Sequence, residues 1–122
     1  MLKLIYVALG GAAGSLLRYM FNALFPFDGV HFPKSTFLVN VLASLVLGFF
    51  SALLLSKFPE NHWLRYFLLI GFCGAFSTFS TFALEIYTLN TQNLALNMVY
   101  ILLSILLSVG AIALGFYLEK LL

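Results

Sequence analysis

Four apolar stretches, separated by three short polar breaks, run the length of the 122-residue chain. The first extends from about Leu4 to Phe25 and stops at Pro26; the second, Ser35 to Ser56, contains neither charge nor proline. The third covers about Leu64 to Thr88 and the fourth about Leu94 to Leu118. At about 1.5 Å per residue, the 22 residues from Ser35 to Ser56 reach across the roughly 30 Å hydrocarbon core of a bilayer. The pattern predicts four membrane-spanning helices. The breaks read as loops: Pro26 to Lys34 with Asp28, Gly29, His31 and Pro33; Lys57 to Arg65 with Pro59, Glu60, Asn61 and His62; and Asn90-Thr91-Gln92-Asn93. Trp63 and Tyr66 stand where interfacial aromatics belong.

Composition agrees with the pattern. The chain is 63% hydrophobic and 8% charged, whereas soluble domains are about a quarter charged. Its length predicts one compact unit without an appended soluble domain. A net charge of +2 without a basic run argues against a nucleic-acid partner. The single cysteine, Cys73, excludes an internal disulfide and supplies no metal-ligand spacing, so it reads as a small buried apolar residue. The N-terminal run outlasts a signal-peptide core and contains Arg18, so a retained transmembrane helix is expected.

Within the spans, small residues four apart (Gly10 with Gly14, Gly11 with Ser15, Ser44 with Gly48) predict close helix packing, as do Gly110 and Gly115. Arg18, near the end of the first span, either snorkels as an anchor or faces a water-filled vestibule. Asn40 must find partners in lipid, as glue between helices or as part of an ion path. Tyr100, Ser104 and Ser108 recur at i, i+4 and i+8 and form one polar stripe, either a functional track or a set of interhelical hydrogen bonds.

The most unusual stretch is Gly71-Phe72-Cys73-Gly74-Ala75-Phe76-Ser77-Thr78-Phe79-Ser80-Thr81-Phe82. It lies within a charge-free run yet combines two glycines, two pairs of hydroxyls and a Phe every third residue. Glycines loosen a helix, and a loosened turn is tolerated in a bilayer only where it is buried in protein or lines a wet cavity. This stretch is therefore expected to break the third helix and form the working part of an ion pathway. The spans contain no nucleophile-base pair for catalysis, and Glu85, near the end of its span, is the one candidate for a proton relay. What remains is a set of uncharged donors: Asn40, Tyr100, and the hydroxyls of Ser77, Thr78, Ser80, Thr81, Ser104 and Ser108. Beside them stand the rings of Phe79 and Phe82, three apart on one helix face, whose positive edges suit a small anion. Such donors can replace hydration without seizing the ion as a lysine would.

On these residues the chain resembles the Fluc/CrcB family of fluoride ion channels, over essentially its full length. The carriers are Gly10-Gly11-Ala12-Ala13-Gly14-Ser15-Leu16-Leu17-Arg18-Tyr19, Thr36-Phe37-Leu38-Val39-Asn40-Val41, and Gly71-Phe72-Cys73-Gly74 leading to Ser77-Thr78-Phe79-Ser80-Thr81-Phe82 and Glu85. The third motif is highly specific in a chain this short. The resemblance implies an all-α membrane protein with four transmembrane helices per subunit and a third helix broken near its middle. It also implies an antiparallel, dual-topology homodimer enclosing two fluoride pores in the inner cell membrane.

By position, Phe79 and Phe82 look like the family's two pore phenylalanines, Asn40 like its pore asparagine, and Tyr100, Ser104 and Ser108 like its fourth-helix polar track. Ser80 and Thr81 fall on the same pathway, with Arg18 at its vestibule. A structural sodium ion (Na+) on the dimer axis is implied, held by the backbone carbonyls of Gly74 and Ser77. The implied function is passive export of fluoride, which lowers its cytoplasmic toxicity, and no enzymatic activity. Departures are Ser77 in place of the usual threonine, and Ala75 and Phe76 in place of the commoner glycine and aliphatic residue. Lys3, Lys57, Arg65 and Lys120 share the side of the termini, against Lys34 opposite, joined by Arg18 if it snorkels there; the count favours termini inside and leaves open a fixed orientation with an oppositely oriented partner chain. The alternatives are a small dual-topology multidrug-type exporter, which would want a glutamate in the first span, and an assembly subunit without transport.

Overall fold

The computed structural model describes residues 1–122 and is helical throughout, with no strand. Helix α1 spans Leu2–Leu24 and α2 spans Lys34–Ser56. Helix α3 is one rod made of His62–Leu64, the π-helical Arg65–Cys73 and Gly74–Phe76. Helix α4 is Ser80–Gln92 and α5 is Leu94–Lys120. Four segments are long and apolar enough to cross a membrane: Leu2–Leu24, Lys34–Ser56, His62–Gln92 and Leu94–Lys120. The third of these therefore consists of α3 and α4 on either side of an interruption.

Local chemistry explains the ends. Helix α1 stops before Pro26, whose ring disfavours helical backbone at the residue before it. Asn61 Oδ1 accepts the Leu64 N–H at 3.2 Å, and Asn93 Oδ1 accepts the Leu96 N–H at 3.0 Å, so asparagines cap α3 and α5. Side chains also tie helix ends together: Ser35 Oγ donates to Asn22 Oδ1 at 2.5 Å, and Ser56 Oγ to Glu119 Oε1 at 2.5 Å.

The helices pack as two pairs, α1 along α3 and α2 along α5. Both pairs meet backbone to backbone. A Cβ added at Gly10 would lie 2.0 Å from the Phe67 carbonyl oxygen, and one at Gly14 would lie 2.3 Å from that of Phe72. Across the other seam, a Cβ at Gly48 would lie 2.4 Å from the Ile112 carbonyl oxygen, and one at Gly115 2.4 Å from the Phe49 nitrogen. These are small-residue contacts the spacing predicted; Gly11 and Ser15, also expected there, make none so tight, since a Cβ at Gly11 would lie 4.0 Å from the Gly71 carbonyl oxygen and Ser15 is exposed. Gly110 departs from that expectation: nothing lies within 4 Å of a Cβ placed there, so it makes no tight contact inside the subunit.

The interruption of the third span also differs in cause from the expectation. Gly71 and Gly74 both lie within helical backbone, and the chain leaves the helix after them, at Ser77, with φ −75° and ψ 159°. Gly71 serves close approach instead, since a Cβ there would lie 2.7 Å from the Val7 carbonyl oxygen. Hydrogen bonds of the residues at the break account for it. Ser77 Oγ donates to the Cys73 carbonyl at 2.8 Å, and the Thr78 N–H points to Asn40 rather than back along its own helix.

Candidate functional site

Asn40, on α2, holds the break open. Its Oδ1 accepts the Thr78 N–H at 2.7 Å and its Nδ2 donates to the Thr78 carbonyl at 3.0 Å. Both backbone polar groups of Thr78 are thus satisfied by a single amide, as lipid demands of interrupted backbone. The Thr78 hydroxyl accepts the Thr81 N–H at 3.3 Å and so caps the start of α4. One N–H of the Asn40 amide is left without a protein partner.

A cavity of about 380 Å³ opens beside this clamp. Asn40 and Ser44 line it from α2, Ser77, Thr78 and Phe79 from the break, Phe82 from α4, and Ser104 and Ser108 from α5. Ile105 and Val109 complete the wall, and no side chain with a formal charge is part of it. Ser104 is 5% exposed, and its hydroxyl has no hydrogen-bond partner in the protein. The two phenylalanine rings stand 6.0 Å apart but in opposite settings, Phe82 at 8% exposure and Phe79 at 78%.

Tyr100 follows a different course from the rest of its stripe. It is fully buried, and its hydroxyl donates to Glu85 Oε2 at 2.7 Å, while Thr36 Oγ1 donates to Glu85 Oε1 at 2.6 Å. The structure therefore brings Asn40, Phe79, Phe82, Ser104 and Ser108 to one cavity, with Tyr100 linked to it through its ring, 5.2 Å from that of Phe82. Ser80 is exposed, Thr81 is half-buried, and neither lines the cavity. Arg18 is half-buried on α1, outside the cavity and without an ion pair.

Three residues of the site have no place on the ion pathway expected from the sequence: Ser44 reads there as a packing residue, Thr36 belongs to a family motif without a role of its own, and Glu85 stands apart as a candidate proton relay near the end of its span. Their signal was the spacing: Thr36, Asn40 and Ser44 repeat every fourth residue on α2, matching Tyr100, Ser104 and Ser108 on the helix it packs along. Glu85 is 6% exposed because both hydroxyls converge on its carboxyl group.

The carbonyls of Gly74 and Ser77 are the candidate metal ligands. Neither accepts a hydrogen bond from the residues that follow it, because the helix ends there and the Thr78 N–H is taken by Asn40. Gly74 is exposed and Ser77 half-buried, so the pair faces the surface of the subunit. Unpaired, uncharged oxygens of this kind fit a hard cation such as sodium, provided further ligands come from elsewhere. No group of three or more His, Cys, Asp or Glu side chains offers a competing metal site.

Outside the spans, Asp28 organises the first loop. Its Oδ1 accepts the N–H groups of Val30 and His31, each at 2.9 Å, and its Oδ2 lies 2.5 Å from His31 Nδ1. The His31 and Val30 amides, followed by the His31 ring, hold the Asp28 carboxyl well below the usual carboxylate range.

Four apolar helices, one of them interrupted beside a cavity that is free of formal charge and lined by hydroxyls and phenylalanine rings, define a multi-pass membrane protein of the channel or transporter class. The chain belongs to the CrcB family, whose model, described as "CrcB-like protein, Camphor Resistance (CrcB)", matches residues 5–116. A protein of Ignicoccus hospitalis named "Fluoride-specific ion channel FluC" is 43% identical over 116 residues, which cover 94% of this chain and 93% of the relative. A Hahella chejuensis protein of the same name is 39% identical over 120 residues, 97% of this chain and 94% of the relative. One from Nitrobacter winogradskyi is 39% identical over 111 residues, 89% of this chain and 88% of the relative.

Proposed function

We propose that the chain forms a fluoride-selective channel that lets fluoride leave the cell passively. The observation that carries this reading is the Ser104 hydroxyl, buried and unpartnered in the wall of an uncharged cavity. A buried hydroxyl without a partner is unfavourable unless something in the cavity accepts from it. Ser108 and the free Asn40 N–H stand along the same wall, where the Ser44 hydroxyl donates to the Asn40 carbonyl at 2.7 Å, and the rings of Phe79 and Phe82 border it. An isolated ion in hydrocarbon costs tens of kcal/mol by continuum arguments. Hydroxyl donors and positive ring edges offset much of that for a small anion, and with no fixed cation among them the ion is still able to leave. The names of the relatives support fluoride as that anion.

A single subunit leaves the cavity incomplete. Phe79 projects from its edge at 78% exposure, and lipid is a poor cover for a row of hydroxyls. A second copy of the chain covers it in this reading, inserted antiparallel, to form a dual-topology homodimer in the inner cell membrane. The unpaired Gly74 and Ser77 carbonyls would hold a structural sodium ion, which would supply a positive charge to hard oxygen ligands at the interface. With the termini inside, Lys3, Lys57, Arg65 and Lys120 lie on the cytoplasmic side.

The test is fluoride-electrode efflux from liposomes loaded with fluoride, with chloride-loaded liposomes as the comparison. Rapid fluoride release and negligible chloride release are expected. Vesicles that retain fluoride, or that release both ions equally, contradict the assignment.

A further inference from the structure

The fluoride cavity borders a chain of rings that continues out of the membrane into the first loop. Phe82 stands 5.2 Å from Tyr100 at 63°, Tyr100 5.3 Å from Phe32 at 82°, and Phe32 5.2 Å from Phe37 at 76°. All three contacts are edge-to-face. The Tyr100 hydroxyl is pinned by Glu85 at 2.7 Å, so the tilt of its ring is set by the rings it touches, Phe82 from the cavity and Phe32 from the loop.

We propose that Phe32 is a positioning residue for ion passage: through Tyr100 it fixes the angle at which Phe82 presents its edge to the cavity, and the Asp28 turn holds it there. The proposal rests on the fluoride-channel reading and adds to it a residue in the loop between α1 and α2. Phe32 has little freedom of its own. Pro33, which follows it, is buried and precedes the first turn of α2. On the other side the Asp28 carboxylate gathers the Val30 and His31 amides and the His31 ring, and Gly29 turns the chain at φ 84°. Because those amides stabilise its ionised form, the turn keeps its charge across the neutral range. A leucine would fill most of the space of Phe32 but has no edge or face to orient Tyr100.

The experiment compares wild type, Phe32→Leu, Phe32→Tyr and Asp28→Ala as full chains in liposomes. Fluoride efflux is measured alongside size-exclusion elution and thermal melting. Phe32→Leu is expected to lower efflux about tenfold with wild-type elution and melting, while Phe32→Tyr, which keeps the ring, stays within about twofold of wild type. Equal efflux in Phe32→Leu and wild type overturns the proposal, and so does an equal loss in the leucine and tyrosine variants, which marks a packing role. If Phe32→Leu does not fold, the exposed Asp28→Ala decides. Lowered efflux with unchanged melting supports the proposal, and wild-type efflux overturns it. Failure of the wild type itself to pass fluoride is a separate result that removes the channel reading.

Discussion

Asn40 and Thr78, 38 positions apart in sequence, form a two-bond clamp: the Asn40 amide accepts from the Thr78 nitrogen at 2.7 Å and donates to the Thr78 carbonyl at 3.0 Å. The clamp makes the interrupted third span compatible with a bilayer, since it replaces the helical partners both groups have lost. It also aims the break at the cavity that Asn40 itself lines. Fold and proposed function therefore share one side chain.

Replacing Asn40 by Ala removes both bonds and leaves two buried polar groups, each costing about 1–3 kcal/mol. A lower melting temperature and loss of fluoride efflux are expected together. Asn40→Asp keeps the acceptor for the Thr78 N–H but sets a carboxylate oxygen against the Thr78 carbonyl and a negative charge on the cavity wall; it should melt below wild type and fail to conduct. An Asn40→Ala protein that melts like wild type would show that the clamp contributes nothing.

The glycines separate into two sets that thermal melting distinguishes. Gly14→Ala and Gly48→Ala force a methyl group into opposing backbone and should each destabilise the subunit by about 1–3 kcal/mol. Gly110→Ala meets nothing inside the subunit and should leave the melting midpoint unchanged or raised. Equal losses at all three positions would contradict the close approach at the two helix seams.

Glu85, Thr36 and Tyr100 form one buried unit, so their substitutions should not add. Glu85→Ala strands two hydroxyls, whereas Tyr100→Phe removes one of them. A double-mutant cycle on melting should return a coupling of about 0.5–3 kcal/mol. Strict additivity would mean that the Tyr100–Glu85 contact carries no stability.

Withdrawal of sodium tests the assignment of the Gly74 and Ser77 carbonyls. In sodium-free buffer the dimer should elute increasingly as monomer and melt at lower temperature, without a rapid on-off effect on flux. A dimer equally stable in potassium and sodium would contradict that assignment.

The four spans were legible in the sequence because a continuous apolar run of about 20 residues satisfies its own backbone hydrogen bonds across lipid as a helix. The break was legible in position but not in cause. Gly71 and Gly74 suggested a helix loosened by glycine, whereas the Ser77 hydroxyl and an amide from α2 divert the backbone there. That amide is distant in sequence, so no local pattern reveals its target. The same limit hid the partners of Glu85: its place near the end of its span weakened a proton-relay role, and only the packing of α2 beside α5 brings Thr36 and Tyr100 onto its carboxyl group. The stripe Tyr100-Ser104-Ser108 was visible as a periodicity, but whether a hydroxyl bonds a neighbour or faces a cavity depends on what the opposing helix supplies.

The most direct test of the central claim, that an anion passes along uncharged donors and aromatic edges, is fluoride-electrode efflux from liposomes containing wild type, Phe79→Ile or Phe82→Ile. The account predicts fast fluoride efflux for wild type and a loss of at least about a hundredfold in either variant, with both still eluting as the wild-type dimer. Wild-type flux through the isoleucine variants would contradict it.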